Sequence, residues 1–188
     1  MTLSMHSLDV SALQRQRFLH PFHPMACKRV LQLLLAQDGS TTRLCETIAG
    51  GPVEFHLLEQ RVVGTVPSVV QGALPGAQFI ERITCLAAHG QVLMDNLAYI
   101  ALDGLQADVR MDLEAGVLPI GPMLARLWVR RCFLDLDTGL LERLWSAAGG
   151  QPDLDASRMY CIVTAEGPRM LIAETFRRGM LMNTPEEH

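Results

Sequence analysis

Lysine is almost absent from this chain of 188 residues. Of its 16 lysine and arginine residues, Lys28 is the only lysine. The formal net charge is −4, and the arginines form no cluster that would make a stripe for phosphate groups, which argues against a dedicated nucleic-acid binder. Guanidinium groups bind carboxylates in a planar, bidentate manner that an ammonium group does not match. A GC-rich genome would produce the same bias, so the composition permits an acid-binding protein without requiring one.

Cysteine usage excludes a disulfide framework and a zinc site. The five cysteines are scattered, odd in number and free of any C-x-x-C spacing, which is typical of small core residues in a reducing compartment. His20 and His23 are close together in sequence, but they lie in a proline-rich segment without a helical pattern and are weak candidates for metal ligands. We therefore expect no metal.

Long apolar runs are also missing. The first residues contain no apolar stretch of the secretory type, and no run approaches the ~20 residues that cross a membrane, so we expect a cytoplasmic protein.

The glycine-rich nucleotide motifs, the G-x-S-x-G elbow and H-E-x-x-H do not occur. Cys132 and Cys161 fall in predicted strands without an obvious base, which disfavours a thiol nucleophile. An enzyme of this sequence would therefore rely on carboxylate and guanidinium chemistry.

With 49% apolar and 19% charged residues, the composition is that of a single globular domain with a full core. We expect one domain over residues 1–188, with an N-terminal arm over 1–25 and a frayed tail over 177–188. The size permits a monomer or a small homo-oligomer.

The period of the hydrophobic pattern changes from helical to two near Val53, and turn signals stand at His89-Gly90 and Glu166-Gly167. Strands linked by hairpins, with helices before and between them, predict an α+β fold with one six-stranded antiparallel sheet. A helix start after Asp38-Gly39-Ser40 would leave backbone N–H groups open to an anion. The predicted helices are 26–37, 41–49, 103–116, 123–127 and 139–148, and the strands are 53–63, 78–88, 91–102, 128–136, 157–165 and 169–176.

Two ionisable residues stand in strands that otherwise read as core. Alternation places Glu174 on the same strand face as Ile172, and Arg82 on the same face as Ile80 and Leu86. A charge on an apolar face needs a partner or a ligand, because an unpaired buried charge is costly. The two residues could pair with each other, one face could be solvated, or both could hold a ligand.

Four segments are informative when they are read together. They are 38–44 (DGSTTRL), 82–90 (RITCLAAHG), 118–121 (LPIG) with 131–136 (RCFLDL), and 171–176 (LIAETF). In their order and spacing, over roughly residues 26–178, they resemble the chorismate pyruvate-lyase family, including its shorter 4-hydroxybenzoate synthases. The resemblance implies a cofactor-free lyase that removes pyruvate from chorismate to leave 4-hydroxybenzoate. It also implies a six-stranded antiparallel sheet with an enclosed ligand cavity under helical flaps.

The resemblance assigns roles to five residues. It implies that Arg82 holds the ring carboxylate and that Glu174 manages the proton at the 4-hydroxyl end of the ring. It implies that backbone groups of Thr41 and Ile120 touch the ligand. Arg131 matches a family arginine and would bind the substrate side-chain carboxylate or form a structural pair with Asp135.

The chemistry is consistent with these residue types. Chorismate becomes aromatic when the C3–O bond breaks, so the protein need only orient the substrate and manage protons. If the chain is a lyase, Glu174→Gln and Arg82→Ala should each lower turnover by at least ~10²-fold.

One departure and several alternatives stand beside this hypothesis. The enterobacterial type carries Gly-Arg where this chain has Asn96-Leu97. If that arginine guides the passage of substrate or product there, other residues would do so in this chain. The alternatives are a non-catalytic effector-type domain of the same fold, an enzyme that makes another hydroxybenzoate isomer, and a structural protein with an incidental Arg–Glu pair. A regulator would normally carry a helix-turn-helix, and we expect the ~25 residues before the first predicted helix to be too few for one.

Overall fold

A computed structural model gives the fold, and it describes residues 24–105, 107–116, 129–150, 153–177 and 180. Within these residues six strands form one antiparallel sheet in the order β1-β2-β3-β6-β5-β4. The strands are β1 (Glu54–Val63), β2 (Phe79–Ala88), β3 (Gln91–Ala101), β4 (Arg130–Leu134), β5 (Ser157–Thr164) and β6 (Gly167–Phe176). The predicted α+β class with a single six-stranded antiparallel sheet is confirmed.

Five α-helices and one 3₁₀ turn are seen in the described parts of the chain. Ser40 begins the second helix by accepting a hydrogen bond from the Arg43 N–H at 3.3 Å, and Gly50 ends it in the left-handed conformation. Asp137 caps the fifth helix through the Leu140 N–H at 2.9 Å. The helices are α1 (Pro24–Ala36), α2 (Thr41–Ala49), α3 (Ser68–Ala73), α4 (Ala107–Ala115) and α5 (Thr138–Ala148), with the 3₁₀ turn at Leu154–Ala156.

The structure differs from the predicted elements most clearly at one helix and one strand. Helix α3 was not predicted, because its six residues are too few to show a helical period and include Gly72, yet Val70 inside it is fully buried. The fourth strand is shorter than expected, with 130–134 in place of 128–136. The predicted helix 123–127 lies outside the described residues.

The two faces of the sheet differ in character. One face carries the largest apolar cluster, in which Leu141, Leu144 and Trp145 of α5 pack against strand residues such as Ile83 and Leu97. The other face carries two smaller clusters, one under α1 and α2 and one that includes Leu113 of α4. Between those two clusters lies a band of polar residues, which is where the candidate site is found.

Arg177, the first residue of the tail that was expected to fray, is packed into the fold. Arg177 is 1% exposed and forms an ion pair with the fully buried Asp95, and its Nη2 donates to the Ala148 carbonyl at 2.8 Å. Met180 is also buried. The rest of the predicted tail and the predicted arm before Pro24 lie outside the described residues.

Candidate functional site

Strand register brings the two charged residues singled out from the sequence to one face of the sheet. Residues opposite each other on neighbouring strands share a face. Thr84 of β2 faces Asn96 of β3, Asn96 faces Glu174 of β6, and Glu174 faces Arg158 of β5. Arg82 lies two residues from Thr84 on the same face of β2. Arg82 and Glu174 therefore project from separate strands into one region.

A pocket occupies this region. Counted together with the open solvent at its mouth, its volume is about 550 Å³. The elbow between α1 and α2 covers it on one side. Its walls combine guanidinium, carboxylate, hydroxyl and apolar groups from Ser40, Thr41, Thr42, Phe55, Arg82, Thr84, Leu86, Met94, Asn96, Arg131, Tyr160, Ile172 and Glu174.

Glu174 is a buried carboxylate surrounded by donors. Its Oε2 accepts from Arg158 Nε at 2.8 Å, and its Oε1 accepts from the Tyr160 hydroxyl at 2.7 Å. The Thr41 hydroxyl donates to Oε1 at 3.2 Å, and Asn96 Nδ2 lies 3.5 Å from the same atom. The ion-pair partner of Glu174 is thus Arg158, and not Arg82 as one alternative had it.

Arg158 joins this carboxylate to the helical elbow. Its Nη1 donates to two carbonyl oxygens at the C-terminal end of helix α1, that of Leu34 at 2.8 Å and that of Gln37 at 2.7 Å. Its Nη2 donates to Thr41 Oγ1 at 2.9 Å, at the start of α2. Carbonyls at a helix C-terminus attract cations, so Arg158 fixes the elbow on the sheet while it neutralises Glu174.

Arg82 occupies the opposite end of the polar band. Its guanidinium lies 5.0 Å from the centroid of the Phe55 ring, and its Nη2 donates to the Gly116 carbonyl at 3.0 Å. The side chain is fully buried, and this desolvation lowers the pKa of Arg82 to about 10. Arg82 therefore remains charged at neutral pH within the pocket wall.

Arg131 reaches the pocket from the edge strand β4. Its Nη1 donates to the Asp38 carbonyl in the elbow, and its guanidinium lies 5.4 Å from the Tyr160 ring centroid. In the described part of the chain, its buried Nε has no hydrogen-bond partner and no carboxylate pairs with it. The suggested pair with Asp135 is thus not formed, and the guanidinium faces the pocket.

The other predicted positions divide into two groups. Thr41 lines the pocket, where its hydroxyl contacts Glu174 and Arg158, while Ile120 lies outside the described residues. At the departure from the family pattern, Asn96 lines the pocket, whereas Leu97 is buried in the apolar cluster on the other face. The roles that the resemblance implies for these residues stay predictions.

Comparison with known proteins gives only distant structural likenesses. No family model matches the chain, and no curated protein matches it. Among solved structures, the chain is similar to PhnF from Mycobacterium smegmatis, with 11% identity and a TM-score of 0.47, over 81% of this chain and 70% of that one. It is also similar to a GntR-family transcriptional regulator from Bacillus cereus, with 11% identity and a TM-score of 0.43, over 72% and 99%.

A third similar structure is described as the ligand-binding domain of a proposed GntR-family transcriptional regulator from Bordetella bronchiseptica. It has 12% identity and a TM-score of 0.40, over 67% of this chain and 84% of that one. At these identities and scores, the likenesses assign no function. The resemblance to the chorismate pyruvate-lyase family remains an expectation from the sequence.

Sequence reasoning missed two residues of the candidate site. Arg158 and Tyr160 alternate with Met159 and Cys161 in β5, so the period-two pattern placed both on one face, yet nothing in the sequence fixed which residues of β6 they would oppose. Their signal was present: an arginine in a strand that otherwise reads as core, as at position 82.

No further assignment comes from membrane or metal features. Among the described residues, no helix has the length and apolar character of a membrane span. The same residues contain no group of three or more histidine, cysteine or acidic side chains placed to hold a metal ion.

Proposed function

We propose that this chain binds a small organic acid with an apolar or aromatic body in the pocket between Arg82 and Glu174, as a non-catalytic, effector-type domain does. The observation that carries the proposal is Arg131. Its charged side chain lines the pocket, and in the described residues its partners are a backbone carbonyl and an aromatic ring, neither of which is an anion. A carboxylate bound in the pocket would supply this guanidinium with an anionic partner.

The rest of the wall supports the same class of ligand. Glu174 is neutralised by Arg158, so it does not cancel the attraction of Arg131 and Arg82 for an anion. Phe55, Leu86 and Met94 supply apolar surface, and together with Ile172 they form contacts suited to a ring.

The surroundings of Glu174 support binding over catalysis. Both carboxylate oxygens already accept hydrogen bonds from Arg158, Tyr160 and Thr41. With Asn96 Nδ2, 3.5 Å from Oε1, as the fourth donor, these groups match the roughly four lone-pair sites of a carboxylate, so a substrate proton would have to displace one of them. The arrangement therefore resembles a structural ion pair more than a base waiting for a proton.

Isothermal titration with 4-hydroxybenzoate and with the neutral 4-hydroxybenzamide tests the proposal. We expect the acid to bind and the amide to bind at least ~10-fold more weakly, since the amide lacks the charge that Arg131 attracts. Arg131→Met should lower the affinity for the acid, while Arg110→Met, in an exposed pair with Glu114, should not. Equal affinities for acid and amide would overturn the proposal.

A lyase that converts chorismate to 4-hydroxybenzoate is the second candidate, and one observation favours it: Arg82 and Glu174 line the same pocket from different strands, as the resemblance implies. Incubating the protein with chorismate and following pyruvate separates the two candidates. Pyruvate release that is lost in Glu174→Gln would establish the lyase. Binding of chorismate or 4-hydroxybenzoate without pyruvate release would establish the binding domain.

A further inference from the structure

Two cysteines face each other across the outermost pair of strands. Cys132 of β4 and Cys161 of β5 are register partners, and both are free thiols. Directly opposed residues of antiparallel strands have Cβ atoms roughly 4.5–5.5 Å apart. A disulfide needs about 3.5–4.5 Å. A small movement of one strand toward the other would therefore allow the two sulfur atoms to bond.

The strand that carries Cys132 is suited to such a movement. It has five residues, and in the described part of the chain it pairs on one side only, with β5. Cys132 is partly exposed, whereas the other cysteines with described side chains, Cys45, Cys85 and Cys161, are buried. Burial raises the pKa of Cys161 as well as those of Cys45 and Cys85, so Cys132 is the thiol that meets an oxidant first, and Cys161 reacts only with the sulfur that the strand register holds opposite it.

We propose that Cys132 and Cys161 form a redox-active dithiol that closes reversibly to a cross-strand disulfide when the protein meets a peroxide. The Cys132 thiolate attacks one oxygen of hydrogen peroxide; the O–O bond breaks, and hydroxide leaves with the proton that the thiol gave up, as water. Cys161 sulfur then attacks the sulfenic sulfur; the S–O bond breaks, the S–S bond forms, and the departing hydroxide takes the Cys161 proton as a second water. Two thiols and one peroxide give one disulfide and two waters.

A disulfide at this position would act on the pocket. Arg131 and Tyr160, which adjoin the two cysteines in sequence, line the pocket, and their side chains stack at 5.4 Å. Drawing β4 toward β5 would change this contact, so we expect a change of at least several-fold in affinity for an organic acid. That consequence rests on the proposed function, whereas formation of the disulfide does not.

Peptide mapping tests the disulfide itself. The full chain is treated with hydrogen peroxide, alkylated in denaturant and digested with trypsin without reduction. Cleavage after Arg131, Arg143, Arg158 and Arg169 gives peptides 132–143 and 159–169, each with one cysteine. We expect these two peptides to be recovered as one linked species, with two of the five thiols lost and both restored by a dithiol reductant.

Variants make the result specific. Cys132→Ser and Cys161→Ser should each abolish the linked species, while Cys85→Ser should leave it intact. Protein unfolded in urea should give mixed pairings in place of one, because only the folded sheet holds the two residues opposite each other. Retention of both thiols in peroxide, oxidation of Cys132 to sulfinic acid alone, or a disulfide between two chains would each overturn the proposal. A linked species in a protein that binds no organic acid would support the dithiol and count only against the proposed function.

Discussion

Arg158 on β5 and Glu174 on β6 lie directly opposite each other and form an ion pair at 2.8 Å, with side chains only 4% and 3% exposed. Removal of one member leaves the other charge buried without its partner, which typically costs about 3–5 kcal/mol. We therefore expect Arg158→Met to lower the free energy of unfolding by about that amount, as measured by urea denaturation.

A double variant and an exposed pair provide the controls for this prediction. Combining Arg158→Met with Glu174→Leu should recover much of the lost stability, because no charge is then left buried. Arg110→Met removes an exposed pair with Glu114 and should change the stability by less than about 0.5 kcal/mol. If Arg158→Met were as mild as Arg110→Met, the ion pair would not stabilise the fold.

Two tyrosines allow the pocket to be separated from the rest of the sheet. The Tyr160 hydroxyl donates to Glu174 at 2.7 Å in the pocket, and the Tyr99 hydroxyl donates to Glu81 at 2.7 Å on the other face. Each Tyr→Phe change removes one bond to a carboxylate and should cost about 1.5–3 kcal/mol of unfolding free energy. Titration with 4-hydroxybenzoate should show weaker binding for Tyr160→Phe alone, and equal affinities for the two variants would argue against the pocket as the binding site.

Gly116 positions Arg82 through its backbone. Its carbonyl accepts from Arg82 Nη2 at 3.0 Å, its φ is +70°, and an added Cβ would lie 2.9 Å from Leu57 Cδ2. Gly116→Ala should therefore strain the backbone by about 1–2 kcal/mol and shift the carbonyl that holds Arg82.

The matched control for Gly116 is Gly90, which has φ +71° in the β2–β3 turn and no atom within 4 Å of an added Cβ. Gly90→Ala should lose similar stability in thermal or urea unfolding but bind 4-hydroxybenzoate normally. Gly116→Ala should bind it more weakly. Normal binding by both variants would show that the Gly116 carbonyl does not set the position of Arg82.

Asp95 makes the stability depend on pH. Burial raises the pKa of Asp95 from its ordinary 3.8 to about 6, and Arg177 opposes this only in part. Between about pH 4 and pH 6 the native state keeps a proton that the unfolded chain has lost. The contribution of Asp95 to stability is therefore complete below pH 4 and is lost as the pH rises through 6, with a total of about 3 kcal/mol.

Asp95→Asn removes this titration. The difference in unfolding free energy, wild type minus variant, should become smaller as the pH is raised from 4 to 7 in urea denaturation experiments. A difference that grows over this range would mean that the ion pair with Arg177 lowers the pKa of Asp95.

Strand identity and strand faces could be predicted because they depend on local patterns. The alternation of apolar residues placed Arg82 and Glu174 on strands, and His89-Gly90 marked the turn between β2 and β3, where both residues have positive φ. Antiparallel pairing of strands that are consecutive in sequence accounts for four of the five strand pairs. The pairing of β3 with β6 joins residues far apart in sequence, and no local signal encodes it.

The partner of Glu174 could not be predicted because a β-bulge decides it. Near the turn, Thr164 faces Gly167 and Val163 faces Pro168, and this register, continued, would place Glu174 opposite Ser157. The irregularity between Ile162 and Val163 shifts the pairing by one residue, so Glu174 meets Arg158. A shift of this kind has no signature in the period of the sequence.

The way Arg158 holds the helical elbow has a consequence for engineering. Two of the groups that it grips, at Leu34 and Gln37, are main-chain carbonyls, which every amino acid provides. Many residues of helices α1 and α2 could therefore be substituted, above all those that face outward, without loss of these hydrogen bonds. Variant libraries that change residues of α1 and α2 but keep Arg158, Glu174 and Thr41 offer a route to new ligand preferences while the sheet beneath the pocket stays unchanged.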